Sequence, residues 1–262
     1  VRSRRQRQMC IRDRVYAGDF MIFSTIRRTG LKNKPWYGFL FDKLETMCDG
    51  EVSQFDNRYN TEITEEKYIE NIIGKTSAMF GIACGAGAYE GKCDEREVLA
   101  IEQFAEKFGL LFQLRDDLLD FAVTNDLSGK TIHNDFWSGY YTLPVIYSFS
   151  HVRNGSKLKQ IARNIKEGLY HELADKRITE LIRDSDGFRY TLMKIDQYAG
   201  EARKNLDVFP NSVPKQKLLE FVDDIQLSAH KMTADPCYLG TISEEDYDKK
   251  RKMEISCTKS WR

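Results

Sequence analysis

Apolar positions recur at helical spacing along most of the chain, in long segments separated by polar stretches, and few β-branched runs alternate with a period of two. The pattern predicts a helix over residues 16–28, a break at 30–35, a second helix over 36–51 and a loop at 57–64. Thr64, followed by Glu65 and Glu66, has the chemistry of an N-cap and an acidic first turn for a helix running to about residue 89. Ala78, Gly81, Ala83, Cys84, Gly85, Ala86 and Gly87 on that helix imply close approach to a neighbour. A further helix is expected over 94–122, then a polar loop at 124–135 and a short helix opened by Leu143-Pro144 and ending near 149. Amphipathic segments follow at 156–170, 171–184, 187–209 and 214–233. The expected fold class is all-α, with one domain over 15–233 and a polar tail over 234–262.

Residues 1–14 read differently. They hold six Arg and no apolar periodicity, and their MCIRDR ending resembles translated sequencing-adapter sequence. A basic arm is the alternative reading, but the segment is expected to lie outside the fold.

The segment 109–121 carries the chemistry. On a helix of about 100° per residue, Gln113, Asp116, Asp117 and Asp120 share a narrow stripe. Leu110, Leu111, Phe112, Leu114, Leu118, Leu119 and Phe121 cover most of the remainder, interrupted by Arg115. A helix apolar nearly all round is buried, so the stripe is expected to face an internal cavity. Crowded carboxylates in such a site must protonate or take a cation. Their hard oxygens suit Mg2+ held jointly with phosphates. Taken alone, the same residues also fit a solvated acidic face.

Composition narrows the choices. Hydrophobic residues make up 41% of the 262 positions, enough for a core, and the formal net charge is zero. No global field therefore recruits nucleic acid or an anionic membrane, and no apolar stretch is long enough to span a bilayer. The six Cys show no CxxC pair and no His at zinc-site spacing, which reads as reduced thiols of a cytoplasmic protein. Gly85-Ala86-Gly87 lacks the preceding strand and spacing of a dinucleotide loop. Phe39, Phe41, Phe80, Phe104, Phe108 and Phe112 are read chiefly as core.

With its neighbours the acidic segment resembles the trans-isoprenyl (polyprenyl) diphosphate synthase family. Phe112-Gln113-Leu114-Arg115-Asp116-Asp117-Leu118-Leu119-Asp120 is similar to its second aspartate-rich motif, Gly50-Glu51-Val52-Ser53-Gln54 to its GExxQ segment and Lys75-Thr76 to its KT pair. Gly129-Lys130, Asp135 and Gly139-Tyr140-Tyr141-Thr142-Leu143-Pro144 resemble its GKxxGxD and GKxTLP segments, and Gly18-Asp19 its GD pair. The order matches the family over residues 15–231. The resemblance implies an isoprenoid-synthase-type helical bundle and a prenyltransferase joining isopentenyl diphosphate to an allylic diphosphate, with Mg2+ as cofactor. It implies Asp116 as the main metal ligand, supported by Asp117 and Asp120. Lys75 and Lys130 would hold a diphosphate, Thr76 and Gln113 would lie by the reacting carbons, and Tyr140 would lie at the substrate. It further implies a homodimer, or a heterodimer with a small subunit.

Three departures stand out. No other DDxxD is present, since Asp223-Asp224 lacks the third acid, so the bundle is expected to be incomplete at its N-terminus and to turn over little by itself. Tyr140 stands where the family has a second lysine, which tilts the resemblance towards medium- and long-chain products, and His133 stands where it has glycine. A non-catalytic subunit of a heteromeric synthase is the alternative. A class I terpene cyclase is a third reading, disfavoured because Thr142 occupies the Glu position of its Asn/Ser/Glu motif after Asn134 and Ser138.

Overall fold

The computed structural model describes the chain except residues 1–3, 30–32, 122–132, 170–173 and 235–262. Every regular element among the described residues is helical. The chain forms two compact units, Val1–Asp42 and Lys43–Arg262.

The first unit holds helix α1 (Arg4–Thr29) and the start of α2 (Tyr37–Asp56). α1 begins twelve residues before the helix expected from residue 16, and so takes in most of the segment set apart in the sequence. Arg and Gln are good helix formers even without an apolar stripe. Between residues 13 and 28 no side chain of α1 is buried; Phe20 and Phe23 are each 69% exposed.

The second unit is a bundle around α5 (Glu95–Leu119). Asp94 caps α5 through a capping box with Glu97, and Thr64 caps α3 (Glu65–Ile72) by accepting from the Lys67 amide, as the sequence predicts for Thr64. α5 buries Phe104, Leu110, Leu111, Leu114 and Leu118. Its neighbours are α4 (Ala78–Glu90), α10 (Gly187–Asn205) and α11 (Val213–Ala234). Of the small residues expected to pack closely on α4, Ala78, Gly81 and Gly85 are buried, whereas Ala83 and Gly87 are exposed. Short helices α6 (Asn134–Ser138), α7 (Leu143–Phe149), α8 (Gly155–Lys166) and α9 (Ala174–Arg183) complete the unit. Pro144 sits in the first turn of α7, where a missing N–H costs nothing.

The long helix expected over 64–89 is interrupted. Residues Ile73–Ser77 form a π turn between α3 and α4. Two close backbone approaches flank it. A Cβ on Gly74 would lie 2.9 Å from the Gly50 Cα, and one on Gly109 would lie 2.5 Å from the Ser77 Cα. The π turn thus sits between α2 and α5, with glycine at both crossings. No described helix is long and apolar enough to cross a membrane.

Candidate active site

A cavity of about 280 Å3 opens where α2, α3, the π turn, α5 and the 135–142 segment meet. Tyr68, Asn71, Ile72, Lys75 and Thr76 line it from one helical face, at positions i, i+3, i+4, i+7 and i+8. Glu51, Gln54 and Asn57 line it from α2 and the turn after it, and Gln113 and Asp117 from α5. Asp135, Tyr140, Tyr141 and Thr142 close it.

One wall is ordered by a lysine. Lys75 Nζ donates to Gln54 Oε1 at 2.9 Å and lies 3.4 Å from Glu51 Oε1. The GExxQ segment therefore meets the KT pair directly. The contact needs Gly50, because a Cβ there would lie 2.7 Å from the Lys75 backbone nitrogen.

The opposite wall is ordered by a carboxylate. Thr76 Oγ1 donates to Gln113 Oε1 at 2.8 Å, and Gln113 Nε2 donates to Asp117 Oδ1 at 2.9 Å. The Tyr68 hydroxyl donates to Asp117 Oδ2. These bonds fix which end of the Gln113 amide faces which neighbour. Asp117 is 3% exposed. Burial pushes its carboxyl up to about 7 against the lowering effect of the Tyr68 and Gln113 bonds, with Asp135 and Asp116 adding to the rise. Asp135 is pushed up to about 6, by burial and then by Asp120, with Lys75 opposing. Burial also raises Asp116, against the nearby Arg115. The same desolvation, with Asp117 adjacent, holds the Tyr68 hydroxyl well above its usual range.

Of the site residues expected from the sequence, Lys75, Thr76, Gln113, Asp117 and Tyr140 come together around this cavity. Lys130 lies outside the described residues. Asp116 and Asp120 are not in the lining. Asp116 Oδ1 is 3.1 Å from Arg115 Nη1. Asp120 accepts from the amides of Asn134 at 3.0 Å and Asp135 at 3.1 Å, which ties the end of α5 to the start of α6. His133 is buried with φ +62°, and its Nε2 lies 2.8 Å from Thr179 Oγ1. A left-handed backbone there suits a position where the related family has glycine.

Tyr68 and Asn71 line the cavity without being among the site residues expected from the sequence. Their signal was available, since Tyr68 and Asn71 stand two turns and one turn before Lys75 on the same face.

Among the described residues no group of three His, Cys, Asp or Glu is arranged to hold a metal. Two buried atoms of the cavity-lining residues, Asn71 Oδ1 and Thr142 Oγ1, have no hydrogen-bond partner among the described residues. Buried polar atoms of this kind call for water or ligand. The carboxyls of Asp117 and Asp135 are held towards neutrality by burial and by neighbouring carboxylates, which a cation would reverse. Mg2+ takes one or two protein carboxylates and completes its shell with water and phosphate oxygens, so the hard donors here fit it without an all-protein cage.

The fold and cavity define an all-α protein with an internal polar site that pairs a lysine wall with a carboxylate wall. Residues 7–181 match the family described as polyprenyl synthetase, and the chain belongs to that family. It is 27% identical over 206 residues to heptaprenyl diphosphate synthase component 2 of Bacillus subtilis (strain 168), covering 78% of this chain and 58% of that protein. It is 32% identical over 174 residues to the all-trans-nonaprenyl-diphosphate synthase (geranyl-diphosphate specific) of Rhodobacter capsulatus, covering 66% and 52%. The crystal structure of polyprenyl synthase from Caulobacter crescentus CB15, complexed with calcium and isoprenyl diphosphate, superposes with a TM-score of 0.73 at 28% identity, covering 81% of this chain and 65% of that one. The chain thus spans a little over half the length of these curated relatives.

Proposed function

We propose that the protein is a prenyltransferase that extends an allylic diphosphate with isopentenyl diphosphate. The observation that carries this reading is the convergence of Lys75, Thr76, Gln113 and Asp117 on one cavity, from stretches of sequence up to 42 residues apart. Lys75 offers a point charge to a diphosphate oxygen, already oriented by Gln54 and Glu51. Gln113 presents its amide oxygen beside Thr76, where its remaining lone pair can face positive charge developing on the allylic carbon. Tyr68 and Gln113 hold the Asp117 carboxylate in one orientation. As the family resemblance implies, Asp116, Asp117 and Asp120 would hold Mg2+ together with diphosphate oxygens, with Asp116 as the main ligand once it turns from Arg115, and with Asp117 already at the cavity. Bound there, the metal would neutralise charge on the departing diphosphate. The calcium and isoprenyl diphosphate of the Caulobacter relative support this ligand chemistry.

Products in the medium to long range fit relatives named for heptaprenyl and nonaprenyl diphosphates. The relative named as a component supports assembly with a second, different chain, and a homodimer is the other arrangement. The test is Mg2+-dependent incorporation of isopentenyl diphosphate into longer products, in a chain that also carries the family's first aspartate-rich motif. Elongation that is lost in Asp116→Ala supports the reading. Elongation retained in that variant contradicts the metal assignment, and its absence from the parent contradicts the activity.

A further inference from the structure

The turn after α2 fixes a guanidinium beside the cavity. Arg58 Nε donates to the Ser138 carbonyl, and Nη2 donates to the Tyr59 hydroxyl at 3.3 Å. The guanidinium carbon lies 4.9 Å from the Tyr59 ring centre and 5.6 Å from that of Tyr140. The backbone beneath is clamped as well. The Tyr59 amide donates to the Gly139 carbonyl at 2.7 Å, and Gly139 adopts φ +81° with the Tyr59 ring against it. Asn57 and Tyr140, on either side of Arg58, both line the cavity.

Two features separate Arg58 from an ordinary surface arginine. Among the described residues no acidic group pairs with it and no acceptor takes a hydrogen bond from its Nη1. Lys75, the cation within the lining, is by contrast already shared between Glu51 and Gln54. A long flexible side chain has thus been ordered by aromatic faces and a carbonyl, with no counter-ion among the described residues. The planar fork of a guanidinium matches phosphate oxygens two at a time.

We propose that Arg58 is an anion-binding residue at the rim of the cavity, taking a phosphate group of a diphosphate whose inner contacts are made at Lys75. This rests on the diphosphate reading given above. Tyr140 then serves as the platform that aims the guanidinium, and a lysine at 140 would put a replacement cation on the lining itself.

The experiment is calorimetric titration of the chain with inorganic pyrophosphate in Mg2+, repeated for Arg58→Ala, Arg58→Lys and the double variant Arg58→Ala/Tyr140→Lys, with unfolding midpoints measured in parallel. The parent is expected to bind and Arg58→Ala to bind at least about tenfold more weakly, the scale of one charged hydrogen bond. Arg58→Lys should fall between the two, and the double variant should recover most of the loss, because it restores charge without restoring the bond to Ser138. Equal binding by parent and Arg58→Ala overturns the Arg58 assignment while leaving the diphosphate reading intact. So does a loss in Arg58→Ala that follows a lowered midpoint and is not recovered by the lysine, which marks a clamp of the turn only. No binding by the parent overturns the diphosphate reading itself, and the rim assignment with it.

Discussion

The two walls of the cavity are built on different physics. The lysine wall is set by shape: Gly50 and Gly74 bring α2 and the π turn together backbone to backbone, and Lys75 is placed as a result. The carboxylate wall is set by polar satisfaction: a nearly inaccessible Asp117 is held by Tyr68 and Gln113, with Thr76 behind the amide. The first wall has no tolerance for added volume. The second has room for isosteric change but is sensitive to the loss of one donor and to protonation. The same ligand would thus meet a rigid cation on one side and a titratable anion on the other.

The largest effect is expected on the shape-determined wall. Gly74→Ala puts a Cβ 2.9 Å from the Gly50 Cα and 3.0 Å from the Thr46 carbonyl oxygen, neither of which can move alone. Overpacking of this kind costs about 1–3 kcal/mol, and should be read at the upper end here because both neighbours are backbone. In an isolated helix the same change would stabilise by about 1 kcal/mol, so the sign in a urea titration separates the two situations. A stabilised Gly74→Ala would remove the steric account of the π turn.

On the carboxylate wall, Tyr68→Phe removes one of the two donors to Asp117 and is expected to cost about 1–3 kcal/mol at pH 8, less at pH 5. The sign follows from the raised carboxyl. Asp117 has an ordinary value of 3.8 and is pushed up to about 7 in the fold. Between those values the folded chain binds a proton that the unfolded chain has released, so this group's contribution to stability falls as pH rises from about 4 to about 7. Asp117→Asn, with a shape similar to the carboxyl, should flatten that part of the pH profile. An unchanged profile in thermal or urea unfolding would place Asp117 in contact with water instead.

The smallest effect is expected at Thr76→Val, which keeps the volume and removes the bond to Gln113 Oε1. A loss of about 0.5–1.5 kcal/mol is the scale of one neutral hydrogen bond. Its use is as a control: it should leave Lys75 and the glycine crossings untouched, so additivity with Gly74→Ala tests whether the two walls are energetically separate.

Where the sequence was legible, the signals were local. The Thr64 cap, the α5 start and the Pro144 entry are written in residues adjacent to the helices they begin. The family motifs likewise marked both walls: GExxQ and KT meet through Gly50 and Lys75, and the aspartate-rich motif supplies Gln113 and Asp117. The π turn at Ile73–Ser77 was not legible, since the backbones packed against it, at Gly50 and Gly109, lie on other helices. The acidic stripe was legible as a pattern but not in its detail. Gln113 and Asp117, four residues apart, face the cavity, whereas Asp116 turns to Arg115 and Asp120 is used by the amides that start α6. Helical phase can group four residues on one side without saying which of them a neighbouring loop will claim. α1 shows the opposite limit: Val15, Tyr16, Phe20, Met21, Ile22 and Phe23 are all apolar and all more than half exposed.

The central claim is that this cavity holds a divalent cation and a diphosphate between Lys75 and the Asp117 side. The most direct measurement is a crystal structure of the chain grown with Mn2+ and inorganic pyrophosphate, with anomalous scattering used to locate the metal. The account predicts an anomalous peak at the carboxylates of the α5 end, with pyrophosphate density between that peak and Lys75 Nζ. A cavity filled only by water, with manganese absent or bound elsewhere on the surface, would contradict it.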